Sequence, residues 1–249
     1  MKTIDAIILA KNEQKNIAQC IESLNFCKKV IVIDNDSTDK TAKIAEDSGA
    51  DVVAHSGNNF AELRNTGLKK ITSDYVIYVD ADERVSVELK KEIESVLSND
   101  LNTHEAFRVK RKNYYYGKNP WPFVERLERV FKKDALTEWF GELHESPKVN
   151  GDIGDLSGYL IHYSHQDLST MIDKTNEWSD IEAELRFNSN HPQMSPWRFF
   201  RVMLTAFYDS YIRQGGYRAG TIGIIESIYQ SFSIFITYAK LWELQNKKK

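Results

Sequence analysis

The acidic residues that could hold a metal ion follow a short apolar run. Asp80-Ala81-Asp82 comes directly after Tyr75–Val79, a run typical of a buried strand. Two carboxylates two residues apart suit a hard divalent cation. An ion held there could offset the negative charge that builds on a diphosphate leaving group. An Asp-X-Asp alone is common and by itself favours a solvated acidic turn, so the metal interpretation depends on the residues that lie beside it.

A second polar stretch, Asp34 to Asp39, also follows an apolar run. Asp34 or Asp36 could accept a hydrogen bond from the N–H of a uracil-type base. Ser37 and Asp39 are of the residue types that cap helices. We predict that Asp39 caps the next helix and that Asp34 binds the base.

Three further residues complete the candidate site. Arg64 could bind a diphosphate bidentately, or it could pair with Glu62 on the surface. A carboxylate such as Glu145 could take the proton from an acceptor hydroxyl as that oxygen attacks a sugar carbon. His162 closes a strand-like stretch and could be a further metal ligand, although a lone histidine is more often structural.

Strands and helices alternate over the first hundred residues. The predicted strands are Ile4–Leu9, Val30–Ile33, Asp51–Ala54 and Tyr75–Val79, and the predicted helices are Asn16–Asn25, Asp39–Ser48 and Phe60–Ile71. This alternation indicates a parallel sheet covered by helices on both faces. Ligands of such sheets bind beyond the carboxyl ends of the strands. The acidic residues at three strand ends should therefore meet at one edge of the sheet, which favours the metal site over the solvated turn.

After residue 100 the pattern changes. Strands are predicted at Ala106–Lys112, Arg126–Lys132 and Gly158–Tyr163, and three helices from Gln166 onward, split near Asn190-His191-Pro192 and Gly215-Gly216. The later segment is therefore expected to be helical, unlike the alternating first part.

Composition is that of a globular protein. Of 249 residues, 41% are hydrophobic and 28% are charged, with a net charge of −3, so nothing indicates a nucleic-acid partner. Cys20 and Cys27 lack metal-type spacing and suit a reducing compartment. The chain begins with a strand-like run and without the features of a signal peptide. We therefore expect a cytoplasmic protein.

Together, these stretches resemble the family 2 inverting glycosyltransferases of the GT-A fold. The resemblance is carried by Ala10-Lys11-Asn12-Glu13, Asp34-Asn-Asp-Ser-Thr-Asp39, Arg64-Asn65 and Asp80-Ala-Asp82. Other stretches are similar to short bacterial enzymes that add glucose to the inner core of lipopolysaccharide or lipooligosaccharide. They are Leu143-His144-Glu145, His162–Leu168, Gly215–Gly220 and Tyr238–Glu243.

The resemblance implies a fold, a domain division and a reaction. The fold is α/β, a Rossmann-like, mostly parallel sheet flanked by helices, with a C-terminal helical extension. Residues 1–165 would form the catalytic domain, with a nucleotide-sugar-binding half at 1–100 and an acceptor and base half at 101–165, and residues 166–249 the extension. The enzyme would transfer glucose from UDP-glucose to a glycan or lipid-linked glycan with a single inversion.

The resemblance also implies residue roles. Lys11, Glu13, Asp34, Asp36, Arg64 and Asp80 would bind the donor, Asp82 and His162 would hold Mg²⁺ or Mn²⁺, and Glu145 would be the base. The loop after the second strand reads Asp34-Asn35-Asp36-Ser37 where the family usually has Asp-Asp-Gly-Ser. This difference leaves open which aspartate faces the uracil base. The subgroup's expected aspartate near Ala219 is absent, which weakens the match to the subgroup only.

The last predicted helix has an apolar face. It comprises Ile225, Ile228, Phe232, Phe235, Ala239 and Trp242. An apolar face at helical spacing is usually core, which is our first interpretation, with a homodimer interface as the alternative. Upstream, Trp197–Arg201 interleaves aromatic and basic side chains, which would also suit peripheral contact with the inner face of the cytoplasmic membrane. Glu226, Gln230 and Lys240 argue against a membrane span at Ile222–Leu241.

Two other enzyme classes fit the first loop less well. A nucleotidyltransferase would need a glycine-rich basic loop after the first strand, and a dinucleotide oxidoreductase would need Gly-X-Gly-X-X-Gly there. Residues 10–16 contain no glycine, which counts against both. Two alternatives stay open: a non-catalytic nucleotide-sugar-binding or scaffold protein, and a glycosyltransferase acting on another glycan or on a protein.

Overall fold

The computed structural model describes residues 2–57, 59–99, 101–141, 145–164 and 167–247. The strands are β1 (Ile4–Ala10), β2 (Lys29–Asp34), β3 (Asp51–Ala54), β4 (Tyr75–Asp80), β5 (Glu83–Val85), β6 (Ala106–Tyr115), β7 (Asn119–Lys132), β8 (Leu136–Phe140), β9 (Ser146–Val149) and β10 (Ile153–Tyr163). The α-helices are α1 (Ile17–Ser23), α2 (Thr41–Asp47), α3 (Phe60–Leu68), α4 (Val87–Ser98), α5 (Leu168–Asn188), α6 (Pro196–Tyr208) and α7 (Gly220–Lys247). A π-helical turn at Asp209–Arg213 and a 3₁₀ turn at Gly216–Ala219 lie between α6 and α7.

One eight-stranded sheet organises the first part of the chain, in the order β3-β2-β1-β4-β7-β6-β10-β5. Strands β3, β2, β1 and β4 pair in parallel, whereas β7 pairs antiparallel to β4 and β5 antiparallel to β10. In the parallel part, Asp80 lies opposite Leu9 and Asp34 lies opposite Ala10. The predicted meeting of the strand ends at one sheet edge is therefore confirmed.

Strand β1 alternates between two cores, as a strand buried on both faces must. Ile4, Ala6 and Ile8 belong to one apolar cluster and Ile7 to the other. The exception to the apolar run is Asp5, which is fully buried. Its carboxylate accepts hydrogen bonds from the backbone N–H groups of Thr72 and Ser73 and from the Ser73 hydroxyl. It therefore fastens the turn that leads into β4.

The predicted elements of the first eighty residues are all present, but helix α4 and strands β5, β8 and β9 were not predicted. Helix α4 carries the usual signals: the Ser86 hydroxyl accepts from Leu89 N–H, and Leu89, Ile93 and Leu97 are buried at helical spacing. The missed strands have only three to five residues each, which is too short for their periodicity to stand out.

The chain divides into two compact units. The first runs up to Lys112 and resumes at Val124–His162, and the second comprises Asn113–Phe123 and the chain from Tyr163 onward. The first unit contains the parallel strands and the candidate site, and the second contains α5, α6 and α7. The functional division at residue 165 stays a prediction.

The apolar face predicted for the last helix is not core. Ile225, Ile228, Phe232, Phe235 and Trp242 are all exposed, so the first interpretation of this face is wrong. The buried side of α7 is largely polar instead. The helical pattern correctly grouped these residues on one face, but it could not tell which face the rest of the protein covers.

Among the described residues, one helical stretch, Gly216–Lys247, is long and apolar enough to cross a membrane by length and composition alone. The polar residues that argued against a span have partners within the second unit. Gln230 donates to Glu226 at 2.7 Å, and Lys240 lies 2.8 Å from an Asp180 oxygen. One helix that passes a test of length and composition is by itself weak evidence for a span.

We predict that Gly158→Ala destabilises the fold. A Cβ at Gly158 would lie 2.4 Å from the backbone of Leu89 in α4, so the helix must shift away from β10. Overpacking of this kind costs about 1–3 kcal/mol, which should lower the melting temperature by several degrees. The exposed neighbour variant Ser157→Ala is the control, and equal melting of the two variants would contradict the prediction.

Candidate active site

The loops after β1 and β2 are fastened to each other by hydrogen bonds. Asn12 N–H donates to the Ser37 hydroxyl at 2.9 Å, and the Asn12 side-chain oxygen accepts from Thr38 N–H at 2.8 Å. Asn12 adopts a positive φ of 57°, which suits asparagine. The two loops are thus held against each other at the carboxyl end of the sheet.

The structure also shows the surroundings of the other residues predicted to act in these two loops. The Asp39 carboxylate accepts from Thr41 N–H at 2.9 Å at the start of α2, although Lys40 is the formal N-cap. Glu13 accepts from the Asn16 side chain at 2.7 Å, and Lys11 is exposed on the first loop.

Asp34 and Asp36 differ in environment. Asp34 is buried; one carboxylate oxygen accepts from Ser37 N–H at 3.4 Å, and the other, Oδ1, has no hydrogen-bond partner among the described residues. Asp36 is exposed, has a positive φ of 54°, and accepts from the Ser56 hydroxyl. Asp34 therefore carries the free buried acceptor of this loop.

Asp80, at the end of β4, lies between two buried arginines. Its Oδ1 accepts from Arg64 Nη2 at 3.2 Å, and its Oδ2 accepts from Arg129 Nη2 at 2.8 Å. Burial alone would raise the pKa of the Asp80 carboxyl, but the Arg129 and Arg64 guanidinium groups outweigh it and hold that pKa well below its usual range. Asp80 is therefore a fixed negative charge.

A second buried carboxylate supports the first. Glu83 is fully buried, and its Oε2 accepts from Asp80 N–H at 3.0 Å. Its Oε1 lies 3.3 Å from Arg111 Nη1 and 3.6 Å from Arg129 Nη2. Carboxylates and guanidinium groups thus alternate beneath the strand end, which compensates each buried charge.

Arg64 is held on three sides. Its Nε donates to Glu145 Oε1 at 2.9 Å, and its guanidinium carbon lies 4.8 Å from the centre of the Trp139 ring. Asn65 fixes that tryptophan by two hydrogen bonds of 2.8 Å to its backbone N–H and C=O. The buried Nη1 of Arg64 has no partner among the described residues, so one donor of this buried cation is unused.

Asp82 and His162 come together at the same edge. Strand pairing sets Glu83 of β5 opposite His162 of β10, and His162 Nε2 lies 3.2 Å from Asp82 Oδ2. Burial lowers the pKa of His162, but the hydrogen bond and charge of Asp82 outweigh it and raise the pKa. Within the described residues, no cluster of three or more His, Cys, Asp or Glu side chains with metal-ligand geometry is present.

The structure brings five of the predicted residues into two contacting groups: Arg64, Asp80 and Glu145 form one, and Asp82 and His162 form the other. Asp34 lies at the same edge of the sheet but at the end of β2, which β1 separates from β4. All of the predicted site residues lie in the first unit. Their catalytic and binding roles stay predictions. Leu143 and His144 of the predicted motif lie outside the described residues.

Sequence reasoning missed Glu83, Arg111, Arg129 and Trp139. Arg111 and Arg129 lie in strands where charged residues alternate with apolar ones, a pattern that also describes a solvent-facing strand. Glu83 follows Asp82 directly in the sequence. This position beside the Asp-X-Asp motif is the one sequence feature that could have identified Glu83 as a site residue.

The chain belongs to glycosyl transferase family 2, whose model matches residues 5–150. The protein is therefore a glycosyltransferase, and the family match together with the mixed sheet and flanking helices confirms the predicted GT-A fold class.

Two relatives match over nearly the whole chain. The uncharacterized glycosyltransferase RP128 of Rickettsia prowazekii is 28% identical over 263 residues, covering 100% of this chain and 90% of that protein. The lipopolysaccharide core biosynthesis glycosyltransferase LpsC of Rhizobium meliloti is 26% identical over 253 residues, covering 96% and 92%.

Among solved structures, the chain is similar to glucosyl-3-phosphoglycerate synthase from Mycobacterium tuberculosis in complex with Mn²⁺, UDP and phosphoglyceric acid. The two are 18% identical, with 68% of this chain and 73% of that chain covered and a TM-score of 0.48. At that TM-score the likeness decides neither fold nor function.

We predict that Glu83→Gln destabilises the protein strongly. The substitution removes the negative charge that lies against Arg111 and Arg129, and breaking one partner of a buried ion pair costs about 3–5 kcal/mol. Urea unfolding should show a lower midpoint with an unchanged slope. Glu46→Gln, at an exposed position of α2, is the matched control; a Glu83→Gln midpoint equal to that of the control would show that the buried network does not stabilise the fold.

Proposed function

We propose that this glycosyltransferase transfers a hexose, glucose, from UDP-glucose to a saccharide of the lipopolysaccharide or lipooligosaccharide inner core, with inversion at the sugar carbon. The acceptor class is supported by the match to LpsC over 96% of this chain, since that protein is a lipopolysaccharide core biosynthesis glycosyltransferase. The donor class is supported by the unused polar groups of the site.

Two buried polar atoms at the edge of the sheet carry the proposal. Asp34 Oδ1 is an acceptor and Arg64 Nη1 is a donor, and neither has a partner among the described residues. A buried unsatisfied group costs free energy that a ligand can recover. A uracil N–H would satisfy the Asp34 oxygen and a phosphate oxygen would satisfy the Arg64 nitrogen. A uridine diphosphate group supplies both.

The residues present fit a divalent metal ion. Asp82 offers a carboxylate and His162 an imidazole nitrogen, 3.2 Å apart. Ions of this kind are commonly held by one or two protein groups together with water and substrate phosphates, so a site without three protein ligands is consistent with the proposal. The imidazole favours Mn²⁺ over Mg²⁺, because Mg²⁺ prefers oxygen ligands. When bound, the ion would supply positive charge to the diphosphate leaving group.

Glu145 is the proposed base, and Arg64 orients it. Both Nε and Nη2 of Arg64 lie within 3 Å of the same oxygen, Glu145 Oε1, at 2.9 and 2.8 Å. The second oxygen of the carboxylate is then the one able to take the proton of the acceptor hydroxyl. One arginine would thus connect the diphosphate side of the reaction to the base side. A single attack by the acceptor oxygen on the sugar carbon inverts that centre.

A cytoplasmic location completes the proposal. Cys20 and Cys27, the two cysteines of the chain, form no disulfide, which fits a reducing compartment.

Glu145→Gln should lower kcat by about 100-fold or more while leaving the Kd for UDP with Mn²⁺ within about twofold, because the glutamine amide oxygen can still accept from Arg64 whereas the proton-accepting carboxylate is lost. The assay is UDP release from UDP-glucose in the presence of inner-core oligosaccharide, with calorimetry for Kd. Glu138→Gln, an exposed carboxylate on β8, is the control. Near-normal turnover of Glu145→Gln would assign the base elsewhere.

The acceptor is tested in the cell that makes this protein. Deletion of the gene should remove one hexose from the inner core of the surface glycolipid, visible as a single hexose mass difference, and the wild-type gene should restore it. An Asp82→Asn gene should not restore it. An unchanged glycolipid would overturn the lipopolysaccharide assignment, and UDP-glucose turnover measured on the same protein would show separately whether the donor assignment stands.

A further inference from the structure

Helix α6 is apolar and yet has no buried residue. Trp197, Phe200, Leu204 and Tyr208 follow one another at spacings of three and four residues, and all four are exposed. Residues at these spacings share one helix face. A contiguous exposed apolar face of this kind marks a surface that meets a protein or a membrane.

Helix α7 exposes its apolar side and buries its polar side. Its exposed side carries the apolar face described above, with Ile228 56% exposed, whereas Glu226 is 1% exposed and Ser227 and Thr237 are buried. A helix that lies between a protein core and water shows the opposite arrangement. The exposed side of α7 is thus its apolar side, which would be more stable in contact with lipid hydrocarbon than with water.

The polar groups that α7 turns inward are satisfied. Tyr229 hydroxyl donates to Met171 C=O at 2.8 Å and pairs with the Thr175 hydroxyl, both on α5. Towards α6, the Ser231 hydroxyl donates to Met203 C=O at 2.8 Å. The inward packing is therefore hydrogen-bonded and specific. The apolar outer sides of α6 and α7, by contrast, are exposed in the described structure.

The charges around these helices are segregated. The charged residues of α6 are Arg198 and Arg201, with no acidic residue in the helix. In the following turn, Asp209 pairs with Arg213 at 2.7 Å. The exposed acidic residues of the second unit are concentrated on α5 instead: Asp173, Glu177, Asp180 and Glu184. The apolar surface is thus bordered by positive charge at α6, although α7 carries one exposed acidic residue, Glu243, near its end.

We propose that the exposed sides of α6 and α7 rest on an anionic phospholipid bilayer. Aromatic and aliphatic side chains would enter the boundary between headgroups and acyl chains, and Arg198 and Arg201 would contact lipid phosphates. The helices would lie in the interface rather than cross it, because α7 keeps its polar side on α5. A second copy that packs face to face through α6 fits less well, since its α6 would present the same arginines and no acidic residue. The inference is independent of which donor or acceptor the enzyme uses.

Vesicle sedimentation of the full chain tests the proposal. The protein should pellet with vesicles of phosphatidylethanolamine and phosphatidylglycerol and stay in solution with vesicles of phosphatidylcholine. The double variant Phe200→Ser with Ile228→Ser should lower the partition coefficient at least about tenfold, the effect expected from losing large apolar side chains. Arg198→Gln with Arg201→Gln should weaken binding and reduce its dependence on salt.

The control, Val87→Ser with Leu101→Ser, replaces apolar residues outside these helices that are more exposed than Phe200 and Ile228, at 63% and 88%. This variant should bind vesicles as the wild type does, and thermal melting followed by circular dichroism should show that all variants are folded. Absence of vesicle binding by the wild type would overturn the proposal, as would equal loss in the control. A dimer that Phe200→Ser with Ile228→Ser dissociates, without vesicle binding, would assign the face to a second copy.

Discussion

The candidate site depends on one carboxylate held between two buried arginines. Asp80 accepts from Arg64 and Arg129, and Glu83 balances Arg129 from the other side. Buried charges of this kind are stable only when each has its partner. The network can form because parallel pairing of β4 with β1 brings Asp80 to the sheet edge and the β5–β10 pairing brings in Glu83. The strand pairing therefore brings these charged groups together, and their mutual compensation in turn stabilises that pairing.

The same network links two parts of the proposed reaction. Arg64 contacts Asp80 on one side and Glu145 on the other, and its remaining buried nitrogen is unused. Asn65 holds Trp139 beside the guanidinium group through paired backbone hydrogen bonds. An arginine fixed in this way needs little reorganisation when charge develops on a leaving group, which is the property that favours catalysis.

Much of this could be predicted from the sequence, for identifiable reasons. The parallel part follows from alternating strands and helices, and the strand-end rule placed Asp34 and Asp80 at one edge. Arg129 could not be found in the same way, because its burial depends on strand pairing between distant segments. The apolar face of α7 was grouped correctly and interpreted wrongly, since periodicity shows which residues share a face and not which face the protein covers.

The central claim is that the carboxyl edge of the sheet binds a uridine diphosphate group together with a metal ion. Crystals grown with UDP and Mn²⁺ test it directly, because manganese can be located by its anomalous scattering. The account predicts a manganese peak within about 2.5 Å of Asp82 and His162, with the diphosphate on Arg64 and the uracil on Asp34. Manganese and UDP bound away from these residues, or no binding at all, would contradict it.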